Sequence, residues 1–336
     1  MAIQLSKNYV PLLDEVYEEA SLTGDLNSSP AMVKAGQNAN EIVIPKLKMS
    51  GLGNYSRNSG YTKGKVDLTW ETVKFNYDRG TKFEVDTLDN EETAEVAFGM
   101  LGAEFERTKV APEGDAFTFA KLAETEEISV AKGKISTGEE AVKALRTASV
   151  KMDNDKVPKN QRLLYITSEI KGDIDDLDTT KSRNVLSKFD KIIEVPQSVF
   201  YTQIVLNDIE DTEEGLDGGY DKAPDMYVAS KDTSVVSGKT YYTKSGETYT
   251  KVTSPTGNPS TSSYYELIEG GRNINFMVVH KPAVIKHKKH TANNIITPEE
   301  NQTSDAYMQK YRKYGLVEVY ENKRAGIYLH YNNNED

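Results

Sequence analysis

The sequence predicts an α+β fold in which a small all-β module is inserted into a larger domain. Three observations carry that expectation. Residues 91–107 and 137–151 repeat apolar side chains at helical spacing. Short runs rich in Ile, Val and Tyr, bounded by Gly, Pro, Asn and Ser, read as strands. Composition changes abruptly over 218–270, which hold seven Tyr and sixteen Ser or Thr but no Phe and no Trp. The 336 residues suggest about two domains.

Taken in order, residues 1–40 read as an arm. Tyr9 to Ala20 suggests a helix, but the stretch has too few apolar residues for a core of its own and needs something to pack on. Residues 41–83 read as an extended loop. Its 42–65 stretch carries Lys46, Lys48, Arg57, Lys63 and Lys65 with no acid, and its Gly-rich tip lies between strand-like Ile42–Ile44 and Val66–Trp70. Residues 84–135 read as a peripheral domain. Eight acids and no base occupy 84–106, and a helix over 91–107 has Asp89 or Asn90 as N-cap and Ala94, Ala97, Phe98, Leu101 and Phe105 on its apolar face.

Residues 136–217 and 271–336 read as one domain with returning strands. Thr137-Gly138-Glu139-Glu140 opens a helix as a capping box. Asp153 to Pro158 is a turn, and Arg162–Thr167 and Ile192–Val195 are strands. A further helix is expected from Thr303-Ser304-Asp305 through Tyr307, Met308, Tyr311 and Tyr314 to a stop at Gly315. Strands follow at Leu316–Tyr320 and Ile327–Tyr331. Between the two parts lies the 218–270 module, with strands at 226–228, 240–243, 249–252 and 264–267 and a hairpin turn at Ser245-Gly246.

Composition excludes much chemistry. Cys is 0, which removes disulfides, thiolate metal sites and thiol nucleophiles. His is 4, too few for a defensible triad. Asp173 to Asp178 resembles a calcium loop, but Leu177 stands at a ligand position and no Gly follows, so a solvated acidic turn is expected. His287 and His290 lie among Lys281, Lys286, Lys288 and Lys289, whose charges oppose a metal cation. Gly51-Leu52-Gly53 lacks the third glycine of a dinucleotide loop. No enzymatic function, metal or cofactor is expected. The net charge of -11 argues against a dedicated duplex-DNA reader. No membrane span or targeting segment is evident, so a cytoplasm-like compartment is expected.

Several segments together resemble the major capsid proteins of tailed bacteriophages. They are Tyr55–Tyr61, Leu68–Thr72 and Tyr77–Asp86, then the 91–107 helix, Val157-Pro158 with Arg162–Tyr165, Ile296–Gln302, Tyr311-Arg312 and Asn322–Tyr328. The resemblance implies the Hong Kong 97-type capsid fold: N-terminal arm, extended loop, peripheral domain with a spine helix, axial domain, and here an inserted β domain. It implies a shell protein that self-assembles into hexamers and pentamers around packaged double-stranded DNA, contacted non-specifically. A separate scaffolding protein, a portal, and decoration or neck proteins are the implied partners. Location in the virion, after assembly in the host bacterial cytoplasm, is implied too. An encapsulin-like nanocompartment shares the fold. A surface adhesive or carbohydrate-binding protein would be led by the Tyr-rich module. The contact expected between subunits joins Arg57, Lys63 and Lys65 of one copy to Glu91, Glu92 and Glu95 of the next.

Overall fold

The computed structural model describes residues 21–28, 34–35, 41–58, 60–87, 102, 104–177, 179–209, 218–237, 239–261 and 263–333. Strands β1 (Glu41–Met49) and β2 (Val66–Lys74) form the expected hairpin, paired without a slip from Glu41↔Lys74 to Met49↔Val66. Strand β3 (Tyr77–Asp86) follows directly. The chain is next helical from Glu104, through a π-helical stretch Glu106–Val110, into α1 (Ala111–Glu124). Most of the helix expected over 91–107 lies outside the described residues. Its described end does not stop at Arg107 but runs on to Glu124. Pro112, which has no N–H to donate, comes just after the π-helical stretch, where the regular hydrogen-bond ladder is interrupted.

Elements β4 (Ser129–Lys132), α2 (Gly138–Asn154), β5 (Arg162–Thr167), α3 (Ser168–Leu177), α4 (Thr180–Leu186) and β6 (Lys191–Val195) come next. Helix α2 starts as its sequence dictates. Thr137 Oγ1 accepts from Glu140 N at 3.3 Å, and Glu140 Oε2 accepts from Ser136 N at 2.9 Å. Arg162 closes its far end, donating to Asp153 at 2.8 Å and to the carbonyls of Val157 and Pro158. The Asp173–Asp176 carboxylates do not sit on a turn. They belong to α3, whose Ile170 and Ile174 are buried at helical spacing.

Two short strands, β7 (Ile204–Leu206) and β8 (Tyr220–Lys222), pair at a neck. Beyond them lie β9 (Met226–Ala229), β10 (Tyr242–Ser245), β11 (Thr248–Lys251) and β12 (Tyr264–Ile268), ordered β9-β12-β10-β11 in a sheet of their own. The β10–β11 turn is the tight one expected, Ser245 facing Thr248, with Gly246 at a φ of +63°. Tyr227 and Tyr249 sit on the two outer strands, yet their rings stack at 4.0 Å, so the sheet curls around a tyrosine cluster. Gly270 and Gly271 let the returning chain through the neck. A Cβ on either would lie 2.2–2.4 Å from the Ala223 or Gln203 carbonyl oxygen.

The chain then supplies β13 (Ile274–His280), β14 (Val284–Ile296), β15 (Ala306–Val319) and β16 (Ile327–Tyr331). The helix expected from Thr303 to Gly315 is instead most of β15, and the strand expected at Leu316–Tyr320 is its end. Asn301 explains the false start: its Oδ1 accepts from Thr303 N, making a turn rather than a cap. Pairing on both sides decides the rest. β15 runs between β14 and β3, matched from Met308↔Ile296 to Val319↔Val284 on one side and from Ala306↔Asp86 to Gly315↔Tyr77 on the other. Two ladders outweigh a weak local preference.

Five strands, ordered β4-β16-β13-β5-β6, form the central sheet. Helix α1 packs Ala116, Phe119 and Leu122 on one face, against Tyr165, Met277 and Leu329. Helices α2, α3 and α4 pack Leu145, Ala148, Ile174 and Val185 on the other, against Leu164, Phe276 and Tyr328.

Candidate assembly surface

The β1–β2 hairpin changes character along its length. At its base Ile42, Ile44 and Val73 are buried against Ile285 and Leu316 of the long β14-β15-β3 sheet. Farther out, Lys46 pairs with Glu321. Register places Trp70 opposite Pro45, Leu68 opposite Leu47 and Val66 opposite Met49. Val66, Leu68 and Trp70 alternate along β2, so they share the face opposite to Val73. Their exposures are 66%, 55% and 50%, and that of Met49 is 70%, against 9% for Val73. Leu52 at the tip is fully exposed. This is a contiguous apolar surface on an element that projects from its own core, which marks an interaction site.

The basic residues sit at the tip. Ser50 and Lys65 close the ladder, with Ser50 N donating to Lys65 O at 2.9 Å and Lys65 N to Ser50 Oγ at 2.8 Å. Ser56 and Gly60 then exchange backbone hydrogen bonds around a small turn, for which Gly60 takes a φ of +75°. Tyr55 and Tyr61 meet edge to face at 5.0 Å across it. Arg57, Lys63 and Lys65 are exposed on this tip. Glu91, Glu92 and Glu95 lie outside the described residues, so the structure does not bring the two charged sets together.

Sequence reasoning identified the hairpin but missed its apolar face. The signal was present, as every second residue from Val66 to Trp70 is large and apolar. A second missed residue is Arg79 of β3. Its Nε donates to Glu113 Oε1 at 3.0 Å, and its terminal nitrogens reach Asp208 at 3.3 Å and the carbonyls of Asn207, at 2.6 Å, and Gly219. One side chain thereby ties the strand after the hairpin to α1 and to the neck of the module. Beside it, Arg312 grips Asp78 with two hydrogen bonds of 2.8 and 2.6 Å, which hold that carboxyl below its usual range. Among the described residues no group of three or more His, Asp or Glu is placed to hold a metal, and no helix is long and apolar enough to cross a membrane.

No protein-family model and no curated protein matches the chain. Solved structures do, and they define the fold as the Hong Kong 97-type fold of phage capsids. The capsid structure of Cyanophage P-SCSP1u aligns over 93% of this chain and 88% of that one, with 12% identity and a TM-score of 0.51. The mature capsid of bacteriophage PhiM1 aligns over 89% and 84%, with 9% identity and a TM-score of 0.51. The capsid of Staphylococcus phage Andhra aligns over 92% and 84%, with 11% identity and a TM-score of 0.51. At such identities the shared property is the fold.

Proposed function

We propose that this chain is the major capsid protein of a tailed phage, a subunit that assembles with copies of itself into hexamers and pentamers of a DNA-filled shell. The observation that carries the reading is the uncovered apolar face of the hairpin, presented on a capsid fold. A subunit with such a face has a standing reason to meet another copy, and repeated heterologous contacts close into rings and shells. The work of such a protein is packing and register, which requires no reactive side chain. In the same reading the packaged DNA is touched non-specifically, through a few Lys or Arg on phosphates, and a scaffolding protein, portal and decoration or neck proteins are the other partners. Residues 218–270 form an inserted β domain carried by the shell subunit.

The basic tip adds direction to the apolar contact. We keep as part of the proposal that Arg57, Lys63 and Lys65 meet Glu91, Glu92 and Glu95 of the next copy. Exposed ion pairs contribute only about 0–1 kcal/mol each, so their effect lies in register and rate of encounter. Changing the three basic residues to Glu is expected to slow assembly, followed by light scattering, most at low salt. Glu91→Lys, Glu92→Lys and Glu95→Lys together restore it in part. Unchanged kinetics of the basic-to-acidic variant remove this contact from the account. For the reading as a whole, purified protein examined by negative-stain electron microscopy is expected to contain closed shells or their capsomers. Only monomers, at concentrations where the hairpin face is saturated, would reject it.

A further inference from the structure

Residues 21–28 are the described root of the N-terminal arm, and the molecule holds them in two ways. The apolar hold is Leu26, 1% exposed, which enters the core cluster that includes Phe117 and Val284. Of the polar holds, one is an ion pair of Asp25 with Lys191, and the others centre on Asp115, a buried carboxylate of α1. Its Oδ1 accepts from Ser21 Oγ at 2.8 Å, Thr23 N at 3.2 Å and Thr23 Oγ1 at 2.5 Å. Its Oδ2 accepts from Leu22 N at 2.8 Å. From the opposite side Lys286 of β14 donates its ammonium to the Thr23 carbonyl at 3.2 Å and to Thr23 Oγ1 at 2.5 Å. Farther along, Ser28 N donates to Lys286 O at 2.9 Å and Lys286 N to Ser28 Oγ at 3.1 Å. Thr23 is thus clasped between a helix and a strand. Its single hydroxyl proton goes to the carboxylate, and its oxygen lone pair accepts from the lysine.

We propose that Asp115, Thr23 and Lys286 form a latch that fixes the backbone path of residues 21–28 on the subunit, and that this latch opens without unfolding the rest. Both jaws stand without the arm. Helix α1 is held by Phe119 and Leu122 on the central sheet, and β14 is paired with β15 along its length. Water can replace each hydrogen bond of the clasp when the root lifts, so the apolar contacts given up are those of Leu22 and Leu26, and the sheet keeps its own. Charge-assisted bonds to one carboxylate also demand a particular backbone path, since two consecutive amides must point at it. Residues 21–28 therefore have one backbone path while latched, and the latch does not depend on the capsid reading.

The test uses the full chain and thermolysin, which cuts before Leu22 and Leu26, with fragments read by mass spectrometry. Thr23→Val removes the hydroxyl at nearly constant shape, Thr23→Ser keeps it, and Asp115→Asn turns an amide NH₂ toward the donors. Cleavage before Leu22 and Leu26, counted apart from the bond after Leu22 that the new valine also opens to thermolysin, is expected to be about tenfold faster in Thr23→Val, and in Asp115→Asn if that variant folds, with Thr23→Ser as slow as the wild type. Circular dichroism and cleavage elsewhere in the chain stay unchanged. The proposal is overturned by any of three results: Thr23→Val cut no faster than the wild type; Thr23→Ser cut as fast as Thr23→Val; or a chain that unfolds throughout when the root is freed. The measurement is made on unassembled subunits, so failure to form shells would not be mistaken for failure of the latch.

Discussion

The central sheet and the projecting hairpin are both hydrogen-bonded ladders that carry large apolar side chains, yet they are buried in opposite ways. Every residue of β5, β13 and β16 is buried, because α1 covers one face of that sheet and α2, α3 and α4 the other. In β2 only Val73 is fully buried, and seven of its nine residues are exposed. The comparison teaches that strand-forming sequence specifies the ladder, while burial depends on what the rest of the chain lays across it. A large apolar face left exposed on a strand is a surface for packing against something else. In the proposed reading, the sheet is the part of the molecule that folds and the hairpin is the part that joins.

That contrast can be broken at several points. The largest expected effect is in the sheet. Phe276 is fully buried and stacks beside Tyr328 and His330. Phe276→Ala is expected to destabilise the subunit by about 3–5 kcal/mol in urea unfolding, since a cavity in a covered sheet cannot collapse. An effect as small as that of an exposed residue would mean that the central sheet is not the core.

Arg79 stands between the two regions. Arg79→Met leaves Glu113 buried without its guanidinium, beside the Tyr77 hydroxyl, which donates to Glu113 Oε1 at 3.0 Å. A loss of about 2–3 kcal/mol is expected, from stranding a buried carboxylate. The double change Arg79→Met with Glu113→Gln should recover part of it, because the stranded charge is gone. No recovery would place the role of Arg79 in its contacts to the neck instead.

A smaller and pH-dependent effect comes from beneath α1, where the β14-β15-β3 sheet carries lysines instead of apolar residues. Burial, with the nearby Lys286 and Lys288 charges, pushes Lys313 down to about 7 from an ordinary 10.5. Burial likewise pushes Lys286 down to about 8. The sign follows from proton binding. Between those values and 10.5 the unfolded chain holds protons that the folded chain has released, so stability rises with pH across that window. Below about pH 7 both states are charged and the penalty of the buried ammonium is present in full. Lys313→Met is therefore expected to be more stable than the wild type at about pH 6, with the difference fading toward about pH 10. Parallel pH profiles of melting temperature for the two proteins would show that the lysine is solvated after all.

Much of this fold is legible in the sequence, and the illegible parts have physical reasons. The cap at Thr137, the buried Arg162–Thr167 strand, the basic hairpin and the Gly246 turn are local features, fixed by neighbours a few residues away. Strand β15 is not local. Its Tyr307, Met308, Tyr311 and Tyr314 suit a helical repeat as well as a strand, and its partners in β3 lie more than two hundred residues upstream. Helix α1 hides for another reason. Buried Glu113 and Asp115 interrupt its apolar pattern, because they bind Arg79 and the arm root. The proposed assembly surface was half legible. Arg57, Lys63 and Lys65 stand out as charge on a Gly-rich tip, whereas Leu68 and Trp70 read only as strand residues until the structure shows how much of each is exposed.

The central claim is that hairpin burial is supplied by another copy. It is tested by the double change Leu68→Ser and Trp70→Ser, measured for folding and assembly on the same preparation. The account predicts an unfolding midpoint within about 0.5 kcal/mol of the wild type, as for other exposed positions, together with loss of shells and capsomers by light scattering and electron microscopy. Shells that form at the wild-type rate from the doubly substituted protein would contradict it, and so would a subunit that no longer folds.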